Sequence, residues 1–310
     1  MKKRIFSCLV ALCMLAPLAS CNVQEQPGGK LRVVTTIFAP YDFARAVAGG
    51  LAEVAMLLPP AGESHSFEPT PRDIIKIRTC DVFVYVGGES DAWVERILSA
   101  MDTSGMRVVT LMGCVDTVDE VIVEGMQIDD DEEEPDPDEH VWTSPKNAAL
   151  ITQKITAAMC AADPQNAGHY RRNSNEYINE LDALDGSFRN LMDRAARRTI
   201  VFGDRFPFSY FADAYGLTYF AAFPGCSAET EAGAKTVIFL IEKIRAEDIP
   251  VVFHAELSNR RMAEAIARAT GARVLQLHAC HSISRADFEA GKTYLGLMGD
   301  NLAALQEALM

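Results

Sequence analysis

The sequence predicts an α/β protein built as two lobes, each a four-stranded parallel sheet with flanking helices, joined by one long rigid helix. From Leu31 onward, short runs of β-branched and aromatic residues alternate with amphipathic helical stretches. This alternation is typical of parallel βα units. Residues 144–198 carry almost no strand pattern and separate four early strand segments from four late ones. We therefore expect this helical stretch to connect the two lobes.

Eight short segments carry the strand pattern, four on each side of the helical stretch. The early strands are expected at 31–36, 53–58, 81–86 and 107–111. The late strands are expected at 199–203, 217–222, 250–253 and 272–277. Their short β-branched and aromatic runs favour strands over helices.

The connecting stretch begins at Ser144 and Pro145, an N-cap residue followed by a proline favoured in the first turn. It is broken once, at Asp163 and Pro164. Beyond the break, apolar residues recur at spacings of three, four and seven: Tyr170, Tyr177, Leu181, Leu184, Phe188 and Leu191. They lie on one face of a single helix of roughly 45 Å, which would form a rigid spine. An ordinary packing helix is the alternative.

The N-terminus has the features of a targeting signal. Three basic residues precede an apolar run over 5–18, which is shorter than the ~20 residues needed to span a bilayer and contains Pro17. The run is followed by Leu-Ala-Ser and Cys21, which resembles the bacterial lipobox. We therefore expect cleavage before Cys21 and a lipid on its thiol, with an ordinary secretory cleavage site as the alternative.

These features divide the chain into five parts. Residues 1–20 are the expected signal peptide and 21–30 a flexible tether. Residues 31–163 form the expected first lobe, 164–198 the linking helix and 199–310 the second lobe. The protein is expected outside the cytoplasm, attached to the outer face of the cell membrane or in the periplasm.

The formal net charge is −14, and it becomes −17 without the three basic residues of the signal, Lys2, Lys3 and Arg4. Such an acidic protein is not expected to bind nucleic acid. Cations are its natural counterpart, although solubility is the better explanation of the charge taken alone. Five cysteines remain outside the N-terminal segment, and the pairs Cys226–Cys280 and Cys80–Cys114 are possible disulfides.

An acidic tract covers residues 129–139, where like charges and two prolines oppose regular structure. We expect a solvated loop over its whole length. The tract ends against His140, so its carboxylates could also hold cations weakly beside an imidazole. A metal reservoir and a merely soluble connection are both open at this point.

Histidines follow the carboxyl ends of predicted strands, where open α/β sheets bind ligands. His65 follows the second strand and His278 follows the last, with His281 three residues further on. His140 lies just before the helix that begins near Ser144. The remaining two, His169 and His254, lie on the linking helix and at the end of the seventh strand. Three converging imidazoles would suit zinc.

Four segments resemble signature regions of the metal-specific solute-binding lipoproteins of ABC importers, the zinc- and manganese-uptake family. They are PPAGESHSFEP at 59–69, DEHVWTSP at 138–145, YFADAYGL at 210–217 and YLGLMGDNL at 294–302. The resemblance implies two four-stranded lobes with the metal held between them. It also implies an ABC permease as partner, metal capture rather than catalysis, and a monomer.

The resemblance assigns His65 and His140 as the first two metal ligands. The family's third ligand is usually a histidine where this chain has Arg205, whose guanidinium cannot bind a metal. The family's fourth, usually an aspartate, corresponds to His278. Three histidines therefore remain, and imidazole in place of carboxylate favours zinc over manganese. The fourth position is left for water, Glu229, Glu231 or His281, with Arg205 holding a carboxylate beside the metal.

Two other functions are compatible with the same residues. A secreted zinc hydrolase could use three histidines and a bound water, with Glu68 or Glu256 as base. The chain has no H-E-x-x-H motif to support it. A surface adhesin lipoprotein is the other alternative, and neither a repeat nor a long low-complexity stalk supports that function.

Overall fold

The structure is a computed structural model that describes residues 29–63, 67–126, 137–225 and 232–310. The expected signal peptide, the lipidation site and most of the tether lie outside the described residues. So do His65, Cys226, Glu229, Glu231 and most of the acidic tract. Within the described ranges, no helix is both long and apolar enough to cross a membrane.

The first sheet is fully parallel and has the strand order β2-β1-β3-β4. Its strands are β1 (Leu31–Thr35), β2 (Ala52–Met56), β3 (Val82–Tyr85) and β4 (Arg107–Thr110). The helices that connect them are α1 (Phe38–Ala48), α2 (Pro71–Thr79) and α3 (Ala92–Ser99). Residues 112–114 and 141–143 form short 3-10 turns. The predicted parallel βα arrangement of this lobe is confirmed.

The second sheet is also parallel, with the order β10-β9-β5-β7. Its strands are β5 (Thr199–Phe202), β7 (Thr218–Phe220), β9 (Val251–His254) and β10 (Arg273–Gln276), and its helices are α6 (Ser209–Tyr215), α7 (Ala234–Ala246), α8 (Arg261–Thr270), α9 (Arg285–Glu289) and α10 (Tyr294–Leu309). A separate two-stranded ladder joins β6 (Arg205–Phe206) to β8 (Phe223–Pro224). The sequence did not predict this ladder, because two residues are too few for a strand period to appear.

Two helices lie between the sheets, α4 (Pro145–Ala162) and α5 (Ala167–Arg194). The break between them is stabilised by Asp163, whose carboxylate accepts hydrogen bonds from Asn166 and Tyr170. Ser144 occupies the N-cap position of α4, but its side chain makes no capping hydrogen bond. With 28 residues, α5 is about 42 Å long. It packs against α1 of the first lobe and α10 of the second.

One apolar core extends through both lobes. At its centre, the fully buried Trp142 donates a hydrogen bond from Nε1 to the Ala279 carbonyl at 2.7 Å. The Tyr294 hydroxyl donates to the Trp142 carbonyl at 2.7 Å, and the Tyr294 amide donates to Asp42 at 2.8 Å. These contacts join α1, the segment after His140 and α10, so the two lobes share one packed core.

The predicted Cys80–Cys114 disulfide is wrong. Cys80 and Cys114 are free, and the Cys80 thiol contacts Met106 Sδ at 3.4 Å instead. Cys280 is buried and has no disulfide partner among the described residues, and its predicted partner Cys226 lies outside them. Burial raises the pKa of Cys80 to about 12, so this thiol is unreactive at neutral pH. Proximity of predicted strand ends was too coarse a guide, because a disulfide requires Cβ atoms about 3.5–4.5 Å apart.

The buried face of α5 predicts a stability difference between two leucines. Leu181 is 0% exposed in the shared core, whereas Leu150 on α4 is 43% exposed. Leu181→Ala should lower the free energy of unfolding by about 2–5 kcal/mol because it leaves a cavity. Leu150→Ala should lower it by less than about 1 kcal/mol. Urea unfolding followed by circular dichroism measures both, and equal losses would contradict the spine packing.

Candidate metal site

His140 lies at the cleft with its ring almost completely buried, at 1% exposure. Asp138 Oδ1 accepts hydrogen bonds from the His140 amide at 2.7 Å and from ring Nδ1 at 2.9 Å. A carboxylate acceptor requires a proton on Nδ1, which places the lone pair of the neutral ring on Nε2. The Asp138 carboxylate therefore fixes the tautomer suited to metal binding through Nε2.

The last part of the acidic tract is buried, contrary to the predicted solvated loop. Asp138 is 0% and Glu139 is 3% exposed. Burial would raise the pKa of Asp138, but its interactions with the ring and amide of His140 hold that pKa below its ordinary value. Glu139 accepts a hydrogen bond from the Ser90 amide at 2.9 Å. Hydrogen-bond donors replace the lost water at Glu139 and at Asp138 Oδ1, whereas Asp138 Oδ2 is buried without a hydrogen-bond partner among the described residues.

His281 faces His140 across the cleft. Their ring centroids lie 5.3 Å apart at an interplanar angle of 88°, and Trp142 lies 5.0 Å from the His281 ring. The His281 loop turns sharply at Cys280, whose φ of 57° is left-handed. The His281 carbonyl accepts a hydrogen bond from the Phe38 amide at 3.2 Å. His281 thus belongs to the second lobe in sequence but is anchored to the first.

Glu256 organises the loop that carries His281. One carboxylate oxygen accepts the Ala279 amide at 2.6 Å and the other accepts the His281 amide at 3.1 Å. The pKa of Glu256 lies above its ordinary value, because burial raises it more than the hydrogen bonds from these backbone donors lower it. Because both oxygens bind the loop, Glu256 is not placed as a catalytic base. Glu68, the other base considered from the sequence, is exposed.

The cleft between the lobes has a volume of about 80 Å³ and is lined by His140, His281, Glu63, Arg205 and Glu256 among others. Arg205, on β6 of the second lobe, forms an ion pair with Glu63 of the first lobe at 3.4 Å. A side chain at Gly225 would approach His140 Cε1 to 3.2 Å, so glycine permits the close packing beside the ring.

The structure does not bring His278 to this cleft. The His278 amide donates to Asn301 Oδ1 at 2.7 Å, and ring Nδ1 lies 3.2 Å from Gln276 Nε2. Burial lowers the pKa of His278, and the negative charge of Asp300 offsets part of that effect. The chain turns after His278 and presents His281 instead. The sequence placed His278 at the metal site because it follows the last strand and corresponds to the family's fourth ligand. No local pattern in the sequence reveals the turn at Cys280.

The other two histidines also lie away from His140. His169 is exposed on α5 beside Arg172, and buried His254 has Nδ1 against the Ala255 carbonyl at 2.7 Å. Within the described ranges, no three histidine, cysteine or acidic side chains already converge as a metal site. His140 and His281 are therefore the two histidines that the described residues bring together at this cleft, and both imidazoles could bind a metal.

A model of the ZnuA family, "Zinc-uptake complex component A periplasmic", matches residues 33–308. The chain belongs to this family. It is 29% identical to the zinc-binding lipoprotein AdcA of Streptococcus pneumoniae TIGR4, over 98% of this chain and 61% of AdcA. It thus spans about three fifths of AdcA. It is also 29% identical to the high-affinity zinc uptake system protein ZnuA of Bacillus subtilis, over 97% of this chain and 96% of that protein.

Solved structures show the same fold. The Zn(II)-bound ZnuA-like domain of S. pneumoniae AdcA superposes with a TM-score of 0.75 at 28% identity, covering 91% of this chain and 99% of that domain. The metal-dependent lipoprotein YcdH of B. subtilis gives a TM-score of 0.77 at 29% identity, covering 91% and 100%. The two curated relatives are named for zinc binding and zinc uptake, and the AdcA domain was solved with Zn(II) bound.

The role of Glu256 predicts a change in backbone protection. Glu256→Gln should weaken charge-assisted hydrogen bonds of about 1.5–3 kcal/mol. The Ala279 and His281 amides should then exchange roughly 10- to 100-fold faster. Glu247→Gln, which removes an ion pair with Lys243 on α7, is the matched control. Hydrogen exchange of the metal-free protein measures this, and unchanged protection of both amides would contradict the assignment.

Proposed function

We propose that this chain captures zinc between its two lobes and delivers it to an ABC-type permease. The observation that carries the proposal is the pair His140 and His281, two imidazoles facing each other across the interlobe cleft. A buried carboxylate orients the ring of His140, and another holds the loop of His281. Ordered imidazoles in a small cleft suit a tightly held borderline cation.

The proposed ligands are His65, His140 and His281. His65 enters through its place in the family's first signature loop, and it lies outside the described residues. His281 replaces His278, which we had expected from its position after the last strand. A water, Glu229 or Glu231 would complete a four-coordinate site. Arg205 would act beside the metal by holding a carboxylate, because a guanidinium has no lone pair to donate.

Zinc is the proposed cargo rather than manganese, which remains the alternative. Three imidazoles supply borderline nitrogen donors, whereas manganese favours sites rich in oxygen. S. pneumoniae AdcA is named a zinc-binding lipoprotein, and its ZnuA-like domain has been solved with Zn(II) bound. Those names support the same metal here.

The proposed location is outside the cytoplasm, with a lipid on Cys21 and residues 21–30 as the tether. The division into lobes at 31–163 and 199–310, with 164–198 between them, belongs to this proposal, as does a monomeric state. Docking on the permease would favour a conformation with weaker metal affinity. Release requires such a difference, because a partner shifts an equilibrium only through differential affinity.

Exchanging the two candidate histidines of the second lobe tests the ligand set. His281→Ala should weaken zinc binding beyond the roughly 100-fold typical of groups outside the coordination sphere. His278→Ala, three residues earlier, should change affinity less than about threefold, because its ring lies beside Gln276. Calorimetric titration of metal-stripped residues 22–310 measures both. A larger loss in His278→Ala would reverse the assignment.

Restoring the family's usual residue at position 205 should strengthen the site. Arg205→His replaces a fixed cation with a neutral donor, so zinc affinity should rise at least about tenfold. Arg205→Gln is the control, since it removes the charge without adding an imidazole. Competition titration against a zinc chelator measures both variants. Equal gains would attribute the effect to charge alone, and a loss in both would mean that the contact with Glu63 matters more.

A further inference from the structure

The hydroxyl of Tyr210 reaches from the second lobe into a segment that belongs to the first. Tyr210 is the second residue of α6 and is 4% exposed. Its hydroxyl donates to the Asp138 carbonyl at 2.6 Å and accepts the Val118 amide at 3.2 Å. One buried hydroxyl therefore serves as donor and acceptor to two residues of the other lobe.

Those two residues are already paired with each other. The Asp138 amide donates to the Val118 carbonyl at 2.9 Å, and Asp119 and Pro137 form an antiparallel bridge beside them. The Tyr210 hydroxyl closes this pairing from the second lobe. The Tyr210 hydroxyl thus binds the backbone of the same residue whose carboxylate accepts the amide and ring of His140 and orients the imidazole.

We infer that Tyr210 is a positioning residue that acts across the lobe boundary, through Asp138, on the metal-facing ring of His140. The inference rests on the proposed function, in which His140 is a ligand. It adds a residue that touches neither metal nor imidazole but sets how firmly the imidazole is held. Hydrogen-bond networks of this kind have effects that exceed single contacts.

Glu139, the residue after Asp138, ties the same segment to the first lobe. Glu139 accepts the Ser90 amide of the first lobe, whereas Asp138 is held by Tyr210 of the second. His140 follows both directly. A change in lobe spacing would therefore alter the Asp138 contact and the direction of the His140 ring, which links the state of the lobes to metal affinity.

The test compares two buried tyrosines of α6. Tyr210→Phe removes the contact with Asp138 and Val118 and keeps the buried ring. Tyr215→Phe is the matched control, because its hydroxyl donates to Asp185 on α5 at 2.9 Å rather than to the Asp138 segment. Zinc should dissociate from Tyr210→Phe about tenfold faster than from wild type, and from the control less than about twofold faster. Stopped-flow chelator competition measures the rates.

Two further readouts separate positioning from a general loss of structure. The His140 Nδ1–H proton, observed by NMR in the metal-free protein, should exchange faster with water in Tyr210→Phe and remain unchanged in the control. In an Asp138→Asn background, Tyr210→Phe should add no further increase in zinc dissociation rate, because both changes act through one contact.

Additive effects in that double variant, or equal dissociation rates in the two tyrosine variants, would overturn the inference while leaving zinc capture intact. Failure of the wild-type protein to bind zinc would instead overturn the proposed function. The two failures are therefore distinguishable in one set of titrations and rate measurements.

Discussion

The contact between Asp138 and His140 is the constraint on which the rest of the site depends. A fully buried carboxylate is costly unless its oxygens accept hydrogen bonds. Here the amide and ring of His140 satisfy Oδ1 at 2.7 and 2.9 Å, whereas Oδ2 has no hydrogen-bond partner among the described residues. The backbone on either side is also held in place. The Asp138 amide donates to the Val118 carbonyl, and the Ser90 amide donates to Glu139.

Trp142 and the core around it explain why His140 and His281 face each other. Trp142, two residues after His140, donates to the Ala279 carbonyl and contacts the His281 ring. The loop that contains Ala279 is itself held by Glu256. Each of the two segments that carry a histidine is thus held partly by hydrogen bonds from the opposite lobe. Such an arrangement favours small movements of loops over a wide opening of the lobes.

Arg205 marks where this chain departs from its family's usual pattern. Its side chain lines the cleft and reaches Glu63 of the other lobe. With Arg205 in place of a histidine, His281 keeps the proposed number of histidine ligands at three. The change also gives the cleft an ion pair between the lobes, which is half exposed at Glu63 and so contributes little to overall stability.

Long periodic segments were predicted well. Each observed strand of the two main sheets lies within two residues of its expected bounds, and α5 carries the expected buried face. Errors arose where a few residues decide the path. Contacts between distant segments decided three of them: the predicted Cys80–Cys114 disulfide, the exposure of Asp138 and Glu139, and the position of His278. The two-residue ladder of Arg205 with Phe223 was equally hidden.

The sequence by itself determined the α/β class, the order of the strands along the chain, the long connecting helix and the signature loops that contain His65 and His140. These features rest on local periodicity and motif order, which a linear chain carries in full. Only the tertiary structure decided that His281 rather than His278 faces His140, and that Asp138 is buried. Those outcomes depend on a left-handed turn at Cys280 and on donors supplied from far along the chain, because burial and hydrogen bonding are properties of the packed molecule.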